Sequence, residues 1–179
     1  MDNAGFSGSV GRSRPAEIVL LGQAAGLGLV TGMRSMLGVK ILAATARRGA
    51  FDGETGSFWH ALRSPVAQRV LTVLAGGEFL MDKLPNAPSR LSKGPLVGRL
   101  AIGALLGAAV SARSPYRNTR IAGAVIGAAA AALGAFVGNR ARTRADRGAR
   151  TGETRVPAPV FGLIEDAIAF GVGIAAARR

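Results

Sequence analysis

Apolar residues along this chain come in blocks and not at every third or fourth position. The blocks cover 18–33, 35–46, about 65–82, 96–112, 121–138 and 156–177, and most Lys and Arg residues lie in the short polar stretches between them. An amphipathic soluble helix places polar residues on every turn, so the block pattern predicts helices that cross a membrane. A straight helix needs about 20 apolar residues to do so. The blocks 18–33, 35–46 and 100–112 fall short of that length. Flanking Arg and Lys can lengthen them by snorkelling. Alternatively, 18–46 is one broken or re-entrant element, which requires that its backbone be buried in protein.

The expected fold is therefore all-α: a polytopic membrane helix bundle with five or six membrane segments. Residues 1–15 read as a flexible polar N-terminus and 16–179 as a single membrane domain. Its halves, about 16–84 and 96–179, are joined by the Pro-rich loop 83–95, in which Pro85, Pro88 and Pro95 exclude a regular helix. Three segments on each side of that loop suggest a 3+3 inverted repeat. The stretch 140–155, with six arginines, reads as a loop between the last two spans.

Composition adds to this picture without redirecting it. With 49% hydrophobic residues a soluble domain is still conceivable, so the arrangement decides. The net charge of +13 raises nucleic acid as a partner. One Trp, one Tyr and no RNA-binding aromatic signature argue against it. Basic loops beside apolar spans fit anionic lipid head groups instead. There is no cysteine, hence no disulfide, thiol nucleophile or Cys-ligated metal. A single histidine, His60, permits no Ser/His/Asp set, and no metal site or cofactor is expected.

Small residues recur at helical spacing inside the apolar blocks. Gly22/Gly26, Gly28/Gly32, Gly103/Gly107, Gly123/Gly127 and Gly134/Gly138 are all Gly-x-x-x-Gly pairs. Positions i and i+4 share a helix face, so each pair forms a groove into which a neighbouring backbone can settle. Gly-x-Gly patterns such as Gly26-Leu27-Gly28 lack the strand–turn–helix setting of a nucleotide loop.

The chemistry-bearing candidates are charges inside these blocks. Glu78 and Asp82 stand at i and i+4, on one face of their segment. Two carboxylates that close, in low dielectric, need a cation or a proton between them. Arg34, Lys83, Arg90 and Arg99 are the candidate cations. Arg34 stands out, because it separates two apolar blocks and its planar guanidinium can bridge two carboxylates. Glu165 and Asp166 lie in the last block, pointing about 100° apart on a helix. Intramembrane charges of this kind either register one helix against another or line an ion or proton path.

Gly32-Met33-Arg34-Ser35, Gly77-Glu78, the stretch from Asp82 through Pro85 and Pro88 to Arg90, Gly98-Arg99 and Glu165-Asp166 together resemble a family of small bacterial membrane proteins catalogued as a domain of unknown function. The Glu-x-x-x-Asp-Lys-x-Pro-x-x-Pro-x-Arg stretch, Glu78 to Arg90, is the specific part. The resemblance covers most of 18–177 and implies a multi-helix protein of the bacterial inner membrane, with no established activity, substrate or cofactor. Three functions remain open. The first is a small ion or solute transporter or channel built on the Arg–carboxylate cluster. The second is a non-catalytic structural or accessory subunit of a larger membrane complex, its glycine grooves taking other membrane subunits or a second copy. Catalysis on a lipid comes last, for want of a nucleophile–base pair.

Overall fold

The structure is a computed structural model, and it describes residues 10–54, 56–81, 92–151, 167 and 171–175. Among these residues every regular element is helical: α1 (Val10–Met33), α2 (Ser35–Arg47), α3 (Ser57–Arg63), α4 (Pro65–Met81), α5 (Lys93–Ser111) and α6 (Arg117–Thr151), with a further helical turn over 171–175. Three helical stretches are long and apolar enough to cross a membrane: Pro15–Met33, Lys93–Ser111 and Arg117–Ala141.

Those three helices form the core of the bundle. α5 and α6 are an antiparallel hairpin turned through 112–116. A Cβ added to Gly103 would stand 2.6 Å from the Gly127 carbonyl oxygen, and one added to Gly107 would collide with the Gly123 carbonyl. α1 lies parallel to α6, since Gly28 abuts Gly127, Gly32 abuts Ala131 and Gly134 abuts Leu29. Gly127 is thus the point where three backbones meet, Gly28 from α1 and Gly103 from α5 both facing its carbonyl. Only residues without a Cβ allow that approach, and the close contact supplies dispersion energy that does not depend on water.

The bundle's surface shows why such packing is needed. Buried positions carry small or polar side chains, among them Ala24, Ala131, Ala135, Gln23, Thr31 and Ser111, together with Leu27, Val30, Leu42, Leu106 and Val110. Large apolar side chains point outward: Ile121, Val125, Leu133, Phe136 and Val137 follow one face of α6, with Val125 63% exposed. A face of that kind suits a lipid surrounding.

α2 folds back on α1 at a sharp break. α1 ends at Met33, Arg34 is extended (φ −144°, ψ 109°), and α2 starts at Ser35. Gly38 of α2 then packs against Thr31 and Leu27 of α1. α2 ends in a turn that needs Gly49 at φ +88°, a left-handed value that side chains disfavour. The stretch 50–63, polar or mixed in sequence, folds into a cap. Phe51 stacks on Trp59 with ring centroids 4.6 Å apart, and Arg63 donates to the carbonyls of Phe51 and, at 2.9 Å, Glu54. Trp59 is buried, whereas His60 beside it is exposed. α4 then begins at Pro65, with Ser64 Oγ accepting the Ala67 N–H at 3.1 Å as an N-cap.

The arginine stretch after Gly138 is helical and not a loop up to Thr151. Arg and Ala are strong helix formers, and 139–151 contains no proline. Arg140 turns back over the Phe136 ring at 4.8 Å, as a cation does where a span leaves the apolar layer.

Candidate functional site

The break between α1 and α2 creates a chemical requirement that Arg34 cannot meet. The first N–H groups of a helix have no partner within it, and an N-cap side chain usually accepts one of them. An arginine side chain has donors and no acceptor. Here the acceptor comes from 43 residues away. Glu78 of α4 takes the Ser35 N–H on Oε1 at 2.8 Å and the Met36 N–H on Oε2 at 2.9 Å. A carboxylate in that position meets both the two free donors and the positive end of the α2 dipole.

A cation completes the arrangement. Arg99 of α5 places Nη2 3.6 Å from Glu78 Oε1, with the arginine 7% and the glutamate 17% exposed. Glu78 therefore clasps α2, α4 and α5 together at the level of the break. Arg34 is buried at the same break. Of the charged groups named from the sequence, Glu78 and Arg99 thus meet, and Arg34 is the residue of the break itself. The remaining members of that cluster, Asp82, Lys83, Glu165 and Asp166, lie outside the described residues, as do Pro85, Pro88 and Arg90 of the loop.

The glycines named as packing positions fall into two groups. Gly28, Gly32, Gly103, Gly107, Gly123, Gly127 and Gly134 each face backbone or a side chain of a neighbouring helix so closely that a Cβ would clash. Gly22 is exposed with nothing within 4 Å of its Cβ position. Gly26 is half-buried and Gly138 buried.

Several buried polar groups have no counterpart among the residues singled out from the sequence. Gln23 of α1 is 6% exposed and accepts from Arg113, whose guanidinium also covers the Phe51 ring at 4.9 Å. Gln68 of α4 is buried and donates to the Leu62 carbonyl at 2.9 Å. Lys40 Nζ donates at 3.1 Å to both the Gln68 carbonyl and Gln68 Oε1. A glutamine inside an apolar block is the signal that would have found both sites, since a buried amide needs partners as a charge does. Among the described residues no three His, Asp or Glu side chains stand close enough to hold a metal ion.

What this site can do chemically is bind negative charge at a broken helix, and it already does so with its own carboxylate. Neither the curated proteins nor the solved structures contain a match to this chain. A family model does match, over residues 21–178, nearly the whole of the bundle with its broken helix and its glycine junction, and the chain belongs to that family, described as Domain of unknown function (DUF4126).

Proposed function

We propose that this chain is an integral membrane protein of the bacterial inner membrane that passes a small ion or solute, with the broken α1–α2 element and its Arg34–Glu78–Arg99 cluster in the path. The observation that carries the reading is the Glu78 carboxylate seated on the Ser35 and Met36 N–H groups. Discontinuous helices whose half-helix N-termini face anionic groups are the recurring binding device of small-solute transporters. In this reading Glu78 is a tethered anion that holds the site until a solute competes for it. A fold of five or six membrane segments in two inverted halves belongs to the same proposal, with Asp82, Glu165 and Asp166 extending the polar path beyond Glu78.

The test is flux in proteoliposomes containing the full chain, with a panel of small anions and cations as tracers. Glu78→Gln removes the charge and keeps the shape, so tracer flux should change several-fold while the protein stays folded. Arg99→Gln should alter it as well.

A second reading is favoured by the same hydrogen bonds, because a carboxylate with both oxygens engaged also serves as a rivet. The protein is then a structural or accessory subunit, using its glycine and apolar faces against other membrane subunits. Unchanged flux in folded Glu78→Gln, together with co-purification of one stoichiometric partner, would decide for this alternative.

A further inference from the structure

The α2–α4 seam carries a second polar feature, nearer the C-terminal end of α2 and the N-terminal end of α4. There a groove of about 460 Å³ is lined by Lys40, Arg47, Gln68, Arg69, Thr72 and Val73, with Pro65 at its rim. Three of these residues are cations, and among the described residues no acidic side chain lines the groove. Among the described residues Arg47 and Arg69 have no ion pair. Lys40 has three N–H donors, of which two are held at 3.1 Å by Gln68. Gln68 is itself fixed, buried and bonded to the Leu62 carbonyl. The ammonium is therefore held in place with one donor to spare. Arg47 in the last turn of α2 complements that helix's dipole, but no such account covers Lys40 or Arg69. Three cations around one groove repel each other unless an anion joins them.

Beside the groove, α4 shows an apolar stripe to the outside. Val66, Val70, Val73 and Leu74 are spaced i, i+4, i+7 and i+8 and so share one face. They are 70%, 50%, 72% and 47% exposed, and Val73 also lines the groove. A basic groove continuous with a hydrocarbon-compatible strip has the polarity of a single lipid molecule.

We propose that this groove binds the phosphate of an anionic glycerophospholipid, with Lys40, Arg47 and Arg69 on the phosphate and an acyl chain along Val66, Val70 and Val73. Bidentate guanidinium contacts suit a phosphodiester, and the ammonium supplies a point charge. The site is independent of the Glu78 clasp and of any transport activity.

The experiment is native mass spectrometry of the full chain from a neutral detergent, titrated with phosphatidylglycerol, with phosphatidylcholine, and with inorganic phosphate. The expected result is a saturable phosphatidylglycerol adduct that survives excess inorganic phosphate. Arg69→Gln should weaken it about tenfold, the effect of removing one charge-assisted contact. Lys40→Gln should weaken it further. Because Lys40 also ties α2 to α4, Arg69→Gln, which has no protein bond to lose, keeps the test valid if Lys40→Gln fails to fold. Val70→Ser with Val73→Ser should weaken phosphatidylglycerol and leave inorganic phosphate unaffected. Equal retention of phosphatidylcholine, or a phosphatidylglycerol adduct indifferent to Arg69→Gln, overturns the proposal. So does inorganic phosphate that binds as tightly and displaces the lipid, which would make the groove a free-anion site.

Discussion

Glu78 is held by two unlike kinds of positive charge, a helix N-terminus and a guanidinium, and each accounts for a different consequence of losing it. The N–H groups of Ser35 and Met36 lose their acceptors, and the buried Arg99 loses an ion-pair partner. Removing one partner of a buried pair costs about 3–5 kcal/mol, mostly because the other charge stays behind. Glu78→Ala should therefore lower the thermal midpoint in detergent strongly, and Glu78→Gln less, since the amide keeps one acceptor for α2. Replacing both residues, Glu78→Gln with Arg99→Met, should cost less than the sum of the single changes, and additivity in that cycle would argue that the two side chains do not interact. From the sequence a carboxylate in an apolar run was conspicuous. That its partner would be a helix end was not, because a backbone donor has no letter in the sequence.

At the scale of elements, the glycines separate into those that hold helices together and those that only interrupt them. Gly127 sits where α1, α5 and α6 meet, so Gly127→Ala forces backbones apart and should cost about 1–3 kcal/mol, the range of overpacked cores. Gly22 and Gly76 have nothing within 4 Å of a new Cβ. Alanine there should be neutral or should stabilise by about 0.5–1 kcal/mol through helix propensity alone. Thermal unfolding of the three variants in one detergent checks the ranking; a Gly127→Ala protein as stable as Gly22→Ala would contradict the three-helix junction. The bounds of α2 and α4 and the C-terminal ends of α1 and α5 were legible because apolar blocks are bounded by Arg, Pro and Gly, whereas α1 starts at Val10 and not at 18, and α5 starts at Lys93, ahead of Pro95. The turn at Gly49 and helix α3 were not legible, since their stability comes from Phe51 stacking on Trp59 and from the carbonyls gathered by Arg63, contacts that no local pattern announces.

At the scale of the whole molecule, large apolar side chains lie both inside and outside the described bundle: Leu27, Val30, Leu42, Leu106 and Val110 are buried beside Ala24 and Thr31, while Val125, Leu133 and Phe136 are exposed. α6 is 35 residues long, about 52 Å at 1.5 Å per residue, against a hydrocarbon layer of about 30 Å. As a membrane span it would carry its arginine-rich end past that layer, on a helix and not on the loop that the density of arginines first suggests. The chain has no native cysteine. Single cysteines can thus report position directly. Val125→Cys should resist a membrane-impermeant maleimide in sealed vesicles of either orientation, and Thr143→Cys should react in one of them. Equal labelling at both positions would remove α6 as a span. Three candidate spans were readable because composition alone shows which blocks avoid charge. The depth of Gln23 and Gln68 was not, because a neutral amide in an apolar block carries no charge to mark it.

The claim on which the rest depends is that the Glu78 carboxylate holds the start of α2 at the break. Backbone hydrogen exchange at Ser35 and Met36, compared between the native chain and Glu78→Ala in the same detergent, tests it most directly. The account predicts exchange faster by about a hundredfold at these two amides, the equivalent of about 3 kcal/mol of lost local protection, with amides around Gly107 unchanged. Equal protection of Ser35 and Met36 in the two proteins would contradict it.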